Sequence, residues 1–339
     1  MIYDLTAILS RRTQKLIGRD GMTYDRRAFL KTTLAATAAM VADAPVGAQP
    51  SPFFPGFVTQ KIQTSGATIN TVRGGSGPPL LLVHGSPQTH VEWHKIAPRL
   101  AQRFTVVMTD LRGYGDSSRP PDGDKHINYS KRAMALDQVE VMRSLGFERF
   151  AVVGHDRGAR VTWRLAVEHP EVVTRAAVLD IVPSPYSRVS REFATEYFHW
   201  FFLIQPAPLP ETLIGNSAEY WFRSRFLRQN AASDVFTPEA LAEYLRCSKD
   251  PAAIHAMCED YRAGATIDLD HAAEDGARKV TCPLLVLWGE RGTVGRLEPV
   301  MDIWREKAVN VTGRSLAAGH FLPEEVPEET LSALLGFLS

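Results

Sequence analysis

Short apolar runs and helical patterns alternate along most of this chain. Residues 57–73 are typical of a hairpin that opens a sheet. Six apolar runs then predict buried strands, at Pro79–His84, Phe104–Thr109, Phe150–Val153, Ala176–Ile181, Leu284–Trp288 and Arg314–Ala318. Helical spacing of apolar residues lies between them, at Trp93–Gln102, Ser130–Leu145, Val161–His169 and Glu329–Leu338. Because strands that alternate with helices form mainly parallel sheets covered on both faces, the pattern predicts an α/β fold.

The alternation breaks between Val182 and Lys279. This stretch is rich in aromatic residues and is typical of short helices, with Thr237-Pro238 as a helix start. We interpret residues 183–278 as a helical cap inserted after the predicted strand Ala176–Ile181, which is the sixth strand when the hairpin is counted as two. The cap lies between two core segments, residues 49–182 and 279–339. Such a cap would cover the carboxyl ends of the strands, where open α/β sheets bind ligands.

The first 48 residues are predicted to be an export signal rather than part of the fold. The twin-arginine motif Asp25–Lys31 (DRRAFLK) precedes a weakly apolar run at residues 32–42, and Val46-Gly47-Ala48 is typical of a cleavage site. The sequence leaves open whether translation starts at Met1 or Met22. The signal predicts a periplasmic location reached by the twin-arginine route.

The composition excludes several classes of partner. Lys plus Arg number 38 and Asp plus Glu number 38, with no basic patch, so nucleic acid is not an expected partner. No apolar run is long enough to predict a membrane span. The three cysteines do not form a disulfide framework, although a Cys247–Cys258 pair stays open, and the ten histidines show no metal-ligand spacing. We expect neither a metal nor another cofactor, and the oligomeric state, a homodimer included, stays undecided.

The most informative stretch is residues 154–160 (GHDRGAR), between a predicted strand and a predicted helix. Two glycines around a central side chain predict a sharp turn that exposes this side chain at the end of the sheet. The central residue is Asp156, and a carboxylate nucleophile suits displacement at a saturated carbon. Arg157 and Arg160 follow directly, and guanidinium groups bind carboxylates in bidentate fashion. The sequence therefore predicts attack on carbon in a small anionic substrate.

Four motifs together resemble the α/β-hydrolase superfamily over roughly residues 55–339. Within it, the chain is similar to the fluoroacetate and haloacetate dehalogenases, with epoxide hydrolases as close relatives. The first two motifs mark the superfamily and the last two are more specific to the haloacetate group: residues 84–87 (HGSP), 110–117 (DLRGYGDS), 154–160 (GHDRGAR) and 199–208 (HWFFLIQPAP). The resemblance implies the α/β-hydrolase fold with an inserted cap.

The resemblance also assigns catalytic roles to individual residues. Asp156 matches the nucleophile, and His320, just after the last predicted strand, matches the general base that activates water. Its acid partner is predicted to be Asp180, at the end of the predicted strand Ala176–Ile181, with Glu290 as the alternative. Arg157 and Arg160 match the clamp for the substrate carboxylate.

Further groups are expected around the leaving halide and the developing oxyanion. His199, Trp200 and Tyr220 resemble the halide donors of the cap, with Trp221 as a rival to Tyr220. The backbone amides of Ser86 and Arg157 resemble the oxyanion donors. The family often has Phe at the position of Ser86, but a backbone donor does not depend on the side chain.

The resemblance implies hydrolysis of a haloacetate to glycolate and halide through an aspartyl ester. The alternative is an epoxide hydrolase with the same nucleophile and base. Tyr261 resembles one of the cap tyrosines such an enzyme needs, but residues 201–204 (FFLI) contain no second tyrosine, and the two arginines would not serve a neutral epoxide. Asp156 argues against a serine esterase, and with His320 against a non-catalytic receptor. The sequence does not rank fluoroacetate, chloroacetate and longer 2-haloacids.

Export is expected to depend on the arginine pair of the predicted signal. Replacing Arg26 and Arg27 together by Lys should leave the protein in the cytoplasm, because the export route reads the twin arginines. Fractionation of expressing cells measures this, and undiminished recovery of the double variant from the periplasm would contradict the prediction.

Overall fold

The computed structural model describes residues 49–183, 189–228 and 234–339. The predicted export signal, residues 1–48, lies outside these described residues. Within the described part of the chain, no helix combines the length and the apolar character needed to cross a membrane.

The described residues form a nine-stranded sheet in the order β1-β2-β3-β5-β4-β6-β7-β8-β9. Strands β1 to β3 and the β3–β5 pair are antiparallel, and all other pairs are parallel, as the alternating pattern predicts. In chain order the strands are Gln49–Pro50, Val58–Gln63, Thr68–Gly75, Pro79–Val83, Thr105–Thr109, Phe150–His155, Val173–Leu179, Leu284–Gly289 and Val311–Leu316.

Both faces of this sheet are covered, because successive residues of its central strands enter two different apolar clusters. Leu81 and Val83 of β4 join one cluster, while Leu80 and Leu82 join the other. A strand that buries both faces shows a continuous apolar run instead of alternation. This explains why the parallel strands were visible in the sequence as uninterrupted apolar segments.

The helices of the core flank the sheet, and their bounds differ in places from the sequence pattern. Before the cap, two 3₁₀ helices cover His90–Trp93 and Asp124–Tyr129, with α1, α2 and α3 at Ala97–Leu100, Lys131–Ser144 and Asp156–Glu168. The helix predicted over Trp93–Gln102 is divided, because Pro98 is tolerated only in the first turn of a helix, here α1. The helix after the turn begins at Asp156 itself, five residues earlier than its apolar periodicity indicates.

The segment between β7 and β8 is helical in its described parts. Helices α4 to α10 lie at Arg191–Glu196, Phe198–Leu203, Leu209–Gly215, Ala218–Arg228, Pro238–Ser248, Pro251–Ala265 and Ile267–Asp275. Helix α9, the longest of them, packs on the core 3₁₀ helix Asp124–Tyr129 and on the cap helices α5, α6, α8 and α10. Cys247 and Cys258 are buried free thiols, so the pairing that the sequence left open does not form.

Four helices complete the core after β8. They are α11 to α14, at Thr293–Leu297, Val300–Lys307, Leu322–Glu325 and Pro327–Leu338. Helix α13 follows the loop after β9, so it lies beside the predicted base, His320.

Candidate active site

Strand β6 passes directly into helix α3 at Asp156, whose φ of 46° lies in the left-handed region. Two glycines make this turn possible. A Cβ on Gly158 would lie 2.2 Å from the carbonyl oxygen of Val83, and a Cβ on Gly154 would lie 2.4 Å from that of Gly158. Since real Cβ atoms do not approach backbone so closely, the turn excludes side chains at both positions. The result is a strained residue at the sheet end, a conformation that clusters at functional sites.

The carboxylate of Asp156 is buried, with 9% exposure, and its two oxygens have different surroundings. The amide of Ser86 donates to Oδ1 at 3.0 Å, and Nε2 of His320 lies 3.7 Å from Oδ2. Burial alone would raise the pKa of Asp156, but the nearby His320 and His155, with the Ser86 amide, outweigh it and lower this pKa. Asp156 is therefore ionised at neutral pH, as a nucleophile must be.

His320 is oriented by Asp180. Nδ1 of His320 donates to Oδ2 of Asp180 at 2.6 Å, and Oδ1 of the same carboxylate accepts from the amide of Gly289 at 2.9 Å. Nε2 of His320 has no hydrogen-bond partner among the described residues and faces Asp156. Glu290, the alternative acid, is exposed. The structure thus places Asp180 where it fixes the tautomer that leaves Nε2 available as a proton acceptor.

Arg157 is already held by a carboxylate of the cap. Its Nε and one terminal nitrogen donate to the two oxygens of Asp260 at 2.8 and 2.6 Å, and the guanidinium lies 4.3 Å from the ring centre of Tyr261. Asp260 also pairs with Lys131 and accepts from the hydroxyl of Tyr114 at 2.7 Å. The other terminal nitrogen, Nη1, makes no hydrogen bond within the described residues, so it is the part of Arg157 that remains for an anion.

Arg160 has a different position, in the wall of a small cavity beside the nucleophile. The cavity is lined by Asp156, Arg160, Asp180, Ile181, Val182, Phe193, Tyr197, Trp200, Val294 and Glu298. The guanidinium of Arg160 lies 5.2 Å from the ring centre of Trp200. Nucleophile, cation and cap indole therefore share one enclosed space, whereas Arg157 stands next to it.

The amide of Arg157, predicted as an oxyanion donor, lies in the first turn of α3. The first amides of a helix have no partner within the helix and point towards its N-terminal end. Together with the Ser86 amide at Oδ1, it is suited to stabilise negative charge that develops on the Asp156 carboxyl group.

The family described as alpha/beta hydrolase fold matches residues 78–325. The chain belongs to the α/β-hydrolase family. It is similar to a fluoroacetate dehalogenase from a Burkholderia species, with 47% identity over 84% of this chain and 95% of that protein. It is also 34% identical to a soluble epoxide hydrolase from Corynebacterium sp. (strain C12), over 81% and 95% of the two chains.

Solved structures agree with this family assignment. The crystal structure of a putative α/β hydrolase from Nostoc sp. PCC 7120 has 59% sequence identity and a TM-score of 0.82, and it covers 84% of this chain and 98% of that one. The fold class and the family resemblance seen in the sequence motifs are thereby confirmed.

The cap of this hydrolase brings three hydrogen-bonding side chains together, but not the predicted three. His199 and Trp200 are buried on α5, and the ring of Tyr261 lies 5.9 Å from that of His199. Burial and the nearby Asp156 raise the pKa of Tyr261, so its hydroxyl stays protonated and able to donate. The guanidinium of Arg225, also buried, lies 2.9 Å from both ring nitrogens of His199.

The prediction for Tyr220 is wrong, since 78% of this residue is exposed. Helix α7 buries Phe222 and Phe226, four residues apart, and a residue two positions before Phe222 lies on the opposite side of the helix. The rival, Trp221, packs on Phe198 and Phe202 inside the cap. Tyr261 was noticed in the sequence only as an epoxide-hydrolase feature.

Sequence reasoning missed three groups at this site. Asp260 and Tyr197 carry no motif, and Arg225 is an arginine on a helix that would ordinarily be exposed. The signal that could have found Asp260 is its place in a buried helix, α9, because a buried carboxylate requires a cation nearby.

One group of side chains has the residue types of a metal site. Donor atoms of Asp122, His255 and Glu259 lie within 4.8 Å of one another. His255 is engaged on both ring nitrogens, by Asp122 at 2.9 Å and Glu211 at 3.0 Å, and Arg262 contacts Glu259 at 2.8 Å. We interpret the group as an ion-pair network between cap and core.

Replacing Asp260 by Asn should destabilise the fold by about 3–5 kcal/mol, because Arg157 and Lys131 would remain buried without their carboxylate. Urea unfolding measures the free energy. Asp270→Asn is the matched control, since its pair with Lys125 is exposed and such pairs contribute about 0–1 kcal/mol. Equal effects of the two substitutions would show that the buried network does not hold the cap on the core.

Proposed function

We propose that this protein hydrolyses haloacetates to glycolate and halide through an ester on Asp156. The observation that supports it best is a buried Asp156 facing a histidine–aspartate pair, with Arg160 in the wall of the same small cavity. The similarity to a fluoroacetate dehalogenase supports the same substrate class.

In the first step, an oxygen of Asp156 attacks the carbon that bears the halogen. A carbon–oxygen bond forms, the carbon–halogen bond breaks, and the halogen leaves with its electron pair as halide. Arg160 and the Nη1 group of Arg157 hold the substrate carboxylate. This contact keeps the halogen-bearing carbon near the attacking oxygen. Donors on Trp200 and Tyr261 stabilise the charge that develops on the halide, while both ring nitrogens of His199 contact Arg225.

In the second step, Nε2 of His320 takes a proton from water, and the resulting hydroxide attacks the carbonyl carbon of the ester. The amides of Ser86 and Arg157 stabilise the tetrahedral oxyanion. Collapse of the intermediate releases glycolate and restores the Asp156 carboxylate. While His320 carries the proton taken from water, Asp180 stabilises the resulting imidazolium. The proton then passes from His320 to solvent.

Epoxide hydrolysis is the second candidate, and one observation favours it. Tyr197 lines the cavity beside Asp156, and the rings of Tyr197 and Tyr261 lie 5.8 and 5.9 Å from that of His199, so two cap tyrosines lie near the site although residues 201–204 contain none. Two phenols can donate to an epoxide oxygen. The cationic side chains Arg160 and Arg157 favour the haloacetate instead, because a neutral epoxide gives them no anion to bind.

Turnover should require Asp156 and His320 in different steps. Asp156→Asn should abolish halide release, since an amide is not a competent nucleophile. His320→Gln should still release halide once per enzyme molecule and then stop, with the ester trapped on Asp156, because the first step needs no base. Fluoride and glycolate assays, a panel of epoxides and intact-protein mass spectrometry measure these outcomes. Diol from epoxides with no halide from haloacetates would select the second candidate.

Carboxylate binding and halide departure should be separable. Arg160→Leu removes a charged donor to the carboxylate, which all haloacetates share. Fluoroacetate and chloroacetate should therefore both lose about ten- to a hundredfold in kcat/KM. Tyr261→Phe removes a donor to the leaving group, so turnover of fluoroacetate should fall more than that of chloroacetate, because fluoride concentrates charge most.

The matched control is Tyr220→Phe, which removes the same hydroxyl from an exposed residue and should change neither rate. If Tyr261→Phe affects the two substrates equally, or Arg160→Leu discriminates between them, then these roles are assigned wrongly.

A further inference from the structure

The residue before the nucleophile, His155, is fully buried and has an acceptor at each ring nitrogen. Its Nε2 lies 2.8 Å from the backbone carbonyl oxygen of His320, and its Nδ1 lies 3.1 Å from Oε1 of Glu92. Glu92 is also fully buried. Neither His155 nor Glu92 has a role in the two chemical steps described above.

This pair of contacts restricts the protonation state of His155. A backbone carbonyl only accepts hydrogen bonds, and so does an ionised carboxylate. A neutral imidazole has one N–H, so its other nitrogen would direct a lone pair at an oxygen that is also an acceptor. A protonated ring donates from Nε2 to the carbonyl oxygen of His320 and places its positive charge beside Glu92, an ion-pair contact at 3.1 Å that lacks hydrogen-bond geometry.

Glu92 extends the pair to a third part of the site. Its other oxygen, Oε2, accepts from the amide of Gly85 at 2.8 Å, and Gly85 precedes the predicted oxyanion donor Ser86. A Cβ on Gly85 would lie 2.7 Å from the Cβ of Asp156, so this loop and the elbow are already in contact. Two buried side chains therefore connect three catalytic segments: the Ser86 loop, the elbow and the His320 loop.

We propose that Glu92 and the imidazolium of His155 form a buried ion pair that positions the Ser86 loop and the His320 loop against the nucleophile elbow. Both are positioning residues, and neither exchanges a proton with substrate. The kinetic part of this inference rests on the proposed function, whereas the charge state of His155 does not.

The charged groups around His155 come from several elements. Glu92 lies on the 3₁₀ helix, Asp156 on α3, Asp180 after β7, His320 after β9 and Glu324 on α13. Burial alone would lower the pKa of His155, but Glu92, Asp156 and Asp180 outweigh it and raise this pKa to about 9. Burial and the neighbouring Glu92 raise the pKa of Glu324, which bonds to Tyr244 at 3.0 Å.

The sign of the pH effect follows from the raised pKa of His155. The stability that the pair contributes is fully present below the ordinary histidine value of 6.5 and is lost as the pH rises through about 9. Wild-type turnover should therefore decline on the alkaline side near pH 9, because loss of the proton frees the His320 loop.

The charge state can be read directly on the full chain. Nitrogen-15 NMR of the histidine side chains, with His155 assigned through its backbone, should show both ring nitrogens protonated at pH 7.5 and a titration near pH 9. A neutral His155 at pH 7.5 would overturn the proposal without any variant having to fold.

The positioning role is tested with Glu92→Gln and His155→Gln. Each should lower kcat about ten- to a hundredfold, since a small displacement of the base is enough for such a loss. The ester on Asp156 should accumulate, KM should change less than threefold, and the alkaline decline should disappear. Asp137→Asn is the matched control, because it breaks another buried ion pair, with Arg112 at 2.6 Å. It should reduce stability and leave kcat and its pH profile unchanged.

The failures are distinguishable. If kcat of Glu92→Gln equals that of Asp137→Asn, the positioning role is overturned while the proposed function stands. If the wild type releases no halide and His320→Gln traps no ester on Asp156 with haloacetate or epoxide, the proposed function fails, and the NMR titration still decides whether the buried pair exists.

Discussion

The site depends on keeping one carboxylate ionised while it is buried. Transfer of an unpaired carboxylate from water to a protein interior is so unfavourable that the group would take up a proton instead. Asp156 avoids this because the Ser86 amide, His320 and His155 surround it and lower its pKa. In the proposed mechanism two of these groups also act in the reaction, since the Ser86 amide would face the developing oxyanion and His320 would activate water.

The same constraint organises the contact between cap and core. Arg157 and Lys131 belong to the core, and the carboxylate that neutralises them, Asp260, belongs to the cap helix α9. Because all three are buried, each requires the others, so seating the cap also orients the guanidinium next to the nucleophile. Tyr261, the next residue of α9, enters the site by the same packing. If Arg157 and Tyr261 bind substrate as proposed, cap position and substrate recognition are coupled through this one network.

The turn at Asp156 was predictable, because a strand, two glycines and a helix form a local pattern. His320 and Asp180 were assigned only through the resemblance to the family, and the structure brings both next to Asp156. The cap was less predictable. Tyr220 was expected from the resemblance to be a halide donor, but the burial of Phe222 and Phe226 turns it to solvent. For Asp260 the one signal is its place in a buried helix, which indicates a nearby cation without saying which one, because its partner is decided only when α9 lies on Arg157.

The sequence by itself determined the alternation of strands and helices, the strained turn at Asp156 and the residue types available for attack on carbon. These follow from the conformational freedom of glycine and from apolar periodicity, which act over a few residues. Only the tertiary structure decided which carboxylate neutralises Arg157, which tyrosine faces the site and why His155 meets two acceptors. Those contacts join residues more than sixty positions apart, and their energies depend on burial that no local pattern reports.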